Sequence, residues 1–214
     1  MQLRESSVIS NRTVGRPPKK PNQRERILNA SARLFATLGY EQCTMARIAA
    51  TLKLTPPALY HYFPTKQSIF TDVAITAMRG TYESVRDAVA AKSKCSYAQQ
   101  LESLMAAHAK HFERNYWIVN ATILGYGGIA RRDIERLDEF ESLRNKNESI
   151  LVRLLRNGVL YGEFKSMEVK LVAMSIYQLL NISRWYRPGG THTAVEIARK
   201  NYHLVAKSLL YKVN

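Results

Sequence analysis

Tyr60, His61 and Tyr62 stand side by side, with Thr55 and Ala58 just before them and Lys66 just after. Hydroxyls, an imidazole and an ammonium grouped in this way are hydrogen-bond donors to oxyanions and base edges rather than a nucleophile with its base. A tyrosine or threonine hydroxyl donates to a phosphate oxygen, an imidazole can bond a purine N7, and an alanine methyl packs on a thymine methyl. A second group, His108 and His111 with Glu102 and Glu113 nearby, has one helical turn between its imidazoles. That set is incomplete for a structural metal and reads equally as a helix surface or a pocket wall. A third group, residues 181–190, sets Arg184, Arg187, Trp185, Tyr186 and the amide of Asn181 at a chain turn. No nucleophile, base and orienting group occur together, and no phosphate loop or dinucleotide fingerprint is present. The glycines at 125, 127 and 128 interrupt an apolar helical run, where they serve close packing or a kink. Neither an enzyme nor a protein with a resident cofactor is expected.

The elements that must hold the first group are short. Thr44 is an N-cap, and Met45, Ile48, Ala49 and Leu52 recur at helical spacing, which predicts a helix over 45–52. Lys53 and Leu54 make the turn, with Leu54 buried. Thr55 caps a second helix whose first turn accepts Pro56 and Pro57, since their missing N–H groups would have had no partner there. Leu59 and Phe63 face inward, which leaves Thr55, Pro56, Ala58, Tyr60, His61 and Tyr62 outside. A helix, a tight turn and a second, exposed helix form a helix-turn-helix, whose second helix enters the major groove. Before it, Ile27, Ala30, Leu34 and Leu38 make one stripe with Phe35 beside it, predicting an amphipathic helix over 23–38 that ends at Gly39. After it, Thr65 caps a long helix over 66–91. Lys66 in its first turn opposes the helix dipole unless a phosphate sits there.

Charge agrees with that reading. The chain has 214 residues and a net charge of +15; residues 1–70 carry eleven Lys and Arg against three Asp and Glu, the remainder twenty-one against fourteen. About half the excess therefore lies beside the groove-reading motif, where phosphate neutralisation supplies affinity without sequence preference. Residues 1–22 are polar and proline-rich, a flexible basic arm. Within it Arg16 could lie in a narrow minor groove, or the whole arm could touch phosphates loosely. The two cysteines, Cys43 and Cys95, make no disulfide framework. No secretory leader and no membrane-length apolar run are visible. The expectation is a soluble cytoplasmic protein with no membrane partner.

Past residue 91 helical periods dominate. Helices are predicted over 96–114, 116–130, 133–160, 167–185 and from Thr193 to 211, with a loop at Gly162, Glu163 and Phe164. The last two are apolar on more than one side, which suits a two-fold partner making a four-helix interface. The fold class is thus all-α: a three-helix helix-turn-helix DNA-binding domain over 23–70 and a helical dimerisation domain over 71–214.

The run from Arg26 to Phe70 resembles the DNA-binding domain of the TetR/AcrR family of bacterial transcriptional regulators. The likeness rests on Ile27, Ala30, Leu34, Phe35, the Leu38-Gly39-Tyr40 break, Thr44, Ile48-Ala49, Leu59 to Phe63, and Lys66. It implies phosphate contact by Thr44, Tyr60, Tyr62 and Lys66, and base contact by Ala58 and His61. Pro56, Pro57 and Ala58 depart from the family's polar or small residues, so shape and arm contacts carry more of the specificity. The resemblance also implies a homodimer and a small-molecule effector, and it alone gives the domain over 71–214 a ligand-binding role. Residues 181–190 are similar to the helix end of members that respond to acyl-CoA thioesters, which implies Asn181, Arg184 and Trp185 as ligand contacts; an anchor at the dimer seam reads equally well. Phe112, Tyr116, Trp117, Tyr126 and Tyr177 are candidate pocket walls. The expected function is a repressor that an effector, such as a CoA thioester, releases from operator DNA. The alternatives are a regulator responding to a hydrophobic drug-like molecule and an architectural DNA-binding protein without an effector.

Overall fold

The computed structural model describes residues 22–126, 136–182 and 186–210, the side chain of Tyr126 excepted. Among the described residues the chain forms nine helices and no strand: α1 (Gln23–Leu38), α2 (Met45–Thr51), α3 (Pro56–Tyr62), α4 (Lys66–Ala90), α5 (Tyr97–Arg114), α6 (Tyr116–Tyr126), α7 (Leu137–Leu160), α8 (Val169–Leu180) and α9 (Ala194–Leu209). The all-α expectation holds. The arm with Arg16, the glycines at 127 and 128, and Arg184 and Trp185 lie outside the described residues.

Helix starts follow from capping chemistry. The Asn22 side chain accepts from the Glu25 N–H while the Glu25 carboxylate accepts from the Asn22 N–H, and Thr44, Thr55 and Thr65 each cap the helix that follows. After α1 the backbone takes φ 82° at Gly39, whose N–H donates to the Phe35 carbonyl; a residue with a Cβ would be strained in that conformation. The turn between α2 and α3 places Lys53 at φ 56°. There the Leu54 N–H reaches back 2.9 Å to the Ala49 carbonyl and closes the end of α2.

Three sequence expectations shift. On α1 the buried face is Ile27, Leu28, Ser31, Ala32 and Phe35, while Ala30, Leu34 and Leu38 only flank it. The reason is that α1 packs against α4 and α6 as well as α2, so two partners rotate its inner face away from the simple stripe. Leu54 is half-buried rather than buried. The helix expected to reach 185 stops at Leu180, because Asn181 (φ −79°, ψ 72°) forms an inverse γ-turn in which the Ile182 N–H donates to the Leu180 carbonyl. Ile182 and Tyr186 then turn into the core, and the Tyr186 hydroxyl donates to Glu113 on α5.

A single apolar cluster joins both halves of the chain. α4 crosses the boundary expected at residue 70 without a break and packs on α1, α5, α6 and α7. α6 lies inside, with Ile118, Val119, Asn120, Ala121 and Thr122 all buried, which is why its sequence is apolar around most of its circumference.

Candidate nucleic-acid interface and ligand cavity

Two side chains anchor α3 and the rest of it faces out. Leu59 and Phe63 are 0% and 1% exposed, whereas Tyr60 is 50% and Tyr62 37% exposed. His61 is exposed beside them, its ring edge-on to Tyr62 at 5.5 Å. Ala58 is half-buried. Thr44 and Thr55 are exposed, and their hydroxyl oxygens accept the cap hydrogen bonds from Arg47 N–H at 3.2 Å and Ala58 N–H at 3.4 Å. Each hydroxyl hydrogen stays available as a donor. Seven of the eight residues expected to meet DNA thus lie on or beside one short helix-turn-helix, and the eighth, Arg16, is outside the described residues.

Lys66 behaves differently from a free surface lysine. Its ammonium donates to the Tyr40 carbonyl at 2.9 Å and lies 4.1 Å from the Tyr40 ring centre. It is half-buried at the start of α4, and an ammonium has further donors to offer a phosphate. The same ammonium, with Arg47, opposes the upward push of burial on the Cys43 thiol. Arg47 and Lys53, exposed on α2 and its turn, are basic residues of the same motif that the sequence reading passed over. Arg24 was missed as well: it donates to the Tyr62 carbonyl at 3.1 Å, lies 4.1 Å over the Phe63 ring, and pairs with Asp72. Nothing local signals that role, since its partners are 38 to 48 residues away.

A cavity of about 400 Å³ with a mainly apolar surface lies among α4, α5, α6, α7 and α8. Of the expected pocket walls it contains Tyr177 and Asn181. Phe112 and Tyr116 lie instead in the core, edge-on to each other at 5.6 Å and packed on Tyr186. Trp117 faces the N-terminal helices, under the Arg33 guanidinium at 5.3 Å. The Tyr126 side chain, Arg184 and Trp185 lie outside the described residues. The walls that sequence reasoning missed include Met78, His108, Phe140, Arg144 and Asn147. A signal existed: Phe140, Arg144 and Asn147 share one face of α7, and Asn147 is a buried amide between Leu143 and Ile150.

The cavity surface is mainly apolar carbon although most lining residues carry a polar group, and several of those groups are engaged within the fold, the Thr81 and Thr122 hydroxyls among them. The Asn147 amide donates to the Met78 and Leu143 carbonyls. The Tyr177 hydroxyl donates to the Asn147 carbonyl at 2.7 Å, and burial, with Glu148 nearby, pushes its pKa up. His108 Nδ1 and Arg144 Nε are buried without a hydrogen-bond partner. Burial, reinforced by His111, lowers the His108 pKa to about 4, so the imidazole is neutral near pH 7. His111 instead contacts Ser84 and Asn115. Among the described residues no three His, Cys, Asp or Glu side chains cluster as metal ligands. A neutral imidazole and a guanidinium edge in an apolar chamber suit an apolar molecule bearing a carbonyl, hydroxyl or acidic group.

On the outer side of α8 and α9, Leu171, Met174 and Leu204 are each about three-fifths exposed. Among the described residues no helix is long and apolar enough to cross a membrane.

Comparison with known proteins agrees with this geometry. Residues 27–73 match the model of bacterial regulatory proteins of the tetR family, and residues 94–209 match the tetracyclin repressor-like C-terminal domain. The HTH-type transcriptional repressor KstR2 of Mycolicibacterium smegmatis is 26% identical over 196 residues, covering 88% of this chain and 91% of that protein. The crystal structure of the TetR family transcriptional regulator PfmR from Thermus thermophilus superimposes with a TM-score of 0.78 at 30% identity, over 87% of this chain and all of that one. AibR in complex with isovaleryl coenzyme A and operator DNA superimposes with a TM-score of 0.74 at 21% identity, over 86% and 97% of the two chains.

Proposed function

We propose, for a chain that belongs to the tetR family of bacterial regulatory proteins, an operator-binding repressor that acts as a homodimer and lets go of DNA when a small apolar effector fills the α4 to α8 cavity. The observation that carries the DNA-binding part is the division of α3: Leu59 and Phe63 secure it while Tyr60, His61 and Tyr62 face solvent. An exposed aromatic surface on a basic lobe is costly for a free protein and is satisfied by phosphates and base edges. Two copies are required, because successive major grooves on one DNA face are about 34 Å apart. Leu171, Met174 and Leu204 supply the apolar patch for that pairing.

For the effector, an acyl-CoA thioester fits a chamber of this kind: the acyl part takes the apolar walls and the thioester carbonyl takes His108 or Arg144. The complex of AibR with isovaleryl coenzyme A supports that class. A second reading, a hydrophobic drug-like molecule, is favoured by the salt bridge from Arg144 to Glu141, which leaves the chamber little net charge for phosphates. Release is a population shift: the ligand favours a spacing of the two α3 helices that no longer matches the grooves.

The test is a duplex selected from a random pool by the full-length protein, followed by competition. A medium-chain acyl-CoA should lower duplex affinity, while free CoA should not. Loss of affinity with an uncharged hydrophobic compound alone would favour the second reading, and failure to enrich any duplex would overturn the regulator assignment.

A further inference from the structure

Asp72, on α4, holds two arginines from distant parts of the chain. Its Oδ2 pairs with Arg24 of α1, and its Oδ1 pairs at 3.1 Å with Arg136, the residue before α7. The carboxylate side chain is 14% exposed while both guanidiniums are about half exposed, so the acid sits inside and its partners reach in from two directions. Arg24 does more than pair. One nitrogen donates to the Tyr62 carbonyl at the last turn of α3, and its guanidinium lies over the Phe63 ring. Those contacts grip the C-terminal end of the recognition helix. A carbonyl there has no intrahelical donor of its own and carries the negative end of the helix dipole, so a guanidinium suits it.

At the other end, Arg136 has φ 59°, a left-handed conformation that persists only where its surroundings determine it. Here they do: Arg136 Nε pairs with Glu139 at 2.9 Å, and Glu139 pairs with Arg79 of α4 at 2.6 Å. Phe140 and Met78, next in sequence to Glu139 and Arg79, both line the ligand cavity. The chain of contacts therefore runs from the cavity wall through four ion pairs, Arg79–Glu139, Glu139–Arg136, Arg136–Asp72 and Asp72–Arg24, to the end of the recognition helix.

We infer that Arg24 is the positioning residue of α3, and that Arg136 orients it from the start of α7 by holding the second oxygen of Asp72. The inference rests on the operator-binding reading and adds the means by which a change between α4 and α7 reaches the DNA-reading helix. Arg24 acts by fixing the angle of α3, not by touching a phosphate. Arg136 fixes the plane of the Asp72 carboxylate, so that the other oxygen meets Arg24.

Because no effector is needed to test this, the variants R24M, R136M and the double variant of the full-length protein suffice. They are titrated against a duplex selected by the wild-type protein and against an unrelated duplex, across a salt series. R24M should weaken selected-duplex binding about tenfold, the loss expected for one charge-assisted hydrogen bond. The unrelated duplex should change far less, and the salt slope should stay as in wild type, because no phosphate contact is lost. R136M should weaken selected binding by about threefold on its own and add nothing in the R24M background, as coupled residues do. R24K keeps a cation for Asp72 but lacks the planar fork that serves Tyr62 at the same time; it should reproduce the R24M loss with helix content unchanged.

A salt slope reduced by about one in R24M would make Arg24 a phosphate ligand and overturn the inference. So would losses that multiply in the double variant, or wild-type binding by R24K. If the wild-type protein enriches no duplex at all, the operator reading falls first and this inference with it.

Discussion

The ammonium of Lys66 and the backbone carbonyl of Tyr40 are 2.9 Å apart, with the Tyr40 ring beneath the same ammonium at 4.1 Å. The first residue of α4 is thereby tied to the turn that follows α1, and Lys66 is presented from a fixed position rather than from a swinging stem. The carbonyl and ring offset part of the unfavourable meeting of a cation with a helix N-terminus.

Replacing Lys66 by methionine should weaken binding to every duplex alike and lower the salt slope by about one. His61→Ala should instead relax discrimination at one base position, by about 1–3 kcal/mol for a direct base contact. Anisotropy titrations with single-base variants of a selected duplex separate the two. The reverse pattern would exchange the roles of Lys66 and His61.

Leu171 and Leu204, each about three-fifths exposed on α8 and α9, should be covered in the dimer. Leu204→Asp would bury an unpaired carboxylate at that seam. Sedimentation should then find monomer where wild type is dimer, together with weaker duplex binding. An L204D protein that remains fully dimeric places the two-fold seam elsewhere.

Gly158 on α7 faces the Phe164 ring: a Cβ there would come within 2.1 Å of the ring edge. The ring cannot simply swing away, since the Phe164 N–H donates to the Gly158 carbonyl at 2.9 Å and Phe164 forms an antiparallel bridge with Leu210. Gly158→Ala should cost roughly 1–3 kcal/mol, the usual range for overpacking. Thermal unfolding measures it, and Phe164→Leu should recover part of the loss in the double variant.

His108 carries a pH dependence whose sign follows from its environment. Its folded pKa is about 4 against an ordinary 6.5, from burial first and His111 second. The unfolded chain takes up this proton at higher pH than the folded one. The stability contribution is therefore complete above pH 6.5 and is lost as pH falls through the window toward 4. The loss is of the order of 3 kcal/mol for a shift of this size. Denaturant melts of wild type and His108→Gln between those limits should diverge; parallel curves would mean that the imidazole protonates freely in the fold.

Local chemistry made much of this molecule readable in advance. Capping residues and the spacing of Ile48, Ala49, Leu59 and Phe63 mark α2 and α3 because caps and helical period act within a few residues of themselves. The outward set of Tyr60, His61 and Tyr62 follows from the same period once Leu59 and Phe63 are assigned inward. Aromatic content was a poorer guide in the C-terminal part. Phe112, Tyr116 and Trp117 share their composition with ligand walls, yet they pack against Tyr186 and Arg33, since a ring in a core and a ring around a ligand are alike in sequence.

The amino-acid order by itself therefore determined most helix starts, the basic lobe and the face of α3 left exposed, all of which depend on neighbours within one or two turns. Only the tertiary structure decided which way α1 turns its inner face, where α8 stops, which side chains surround the cavity, and that Arg24, Asp72 and Arg136 meet. Those outcomes depend on contacts between residues dozens of positions apart, and a one-dimensional period carries no information about which distant partner will supply the charge or the wall.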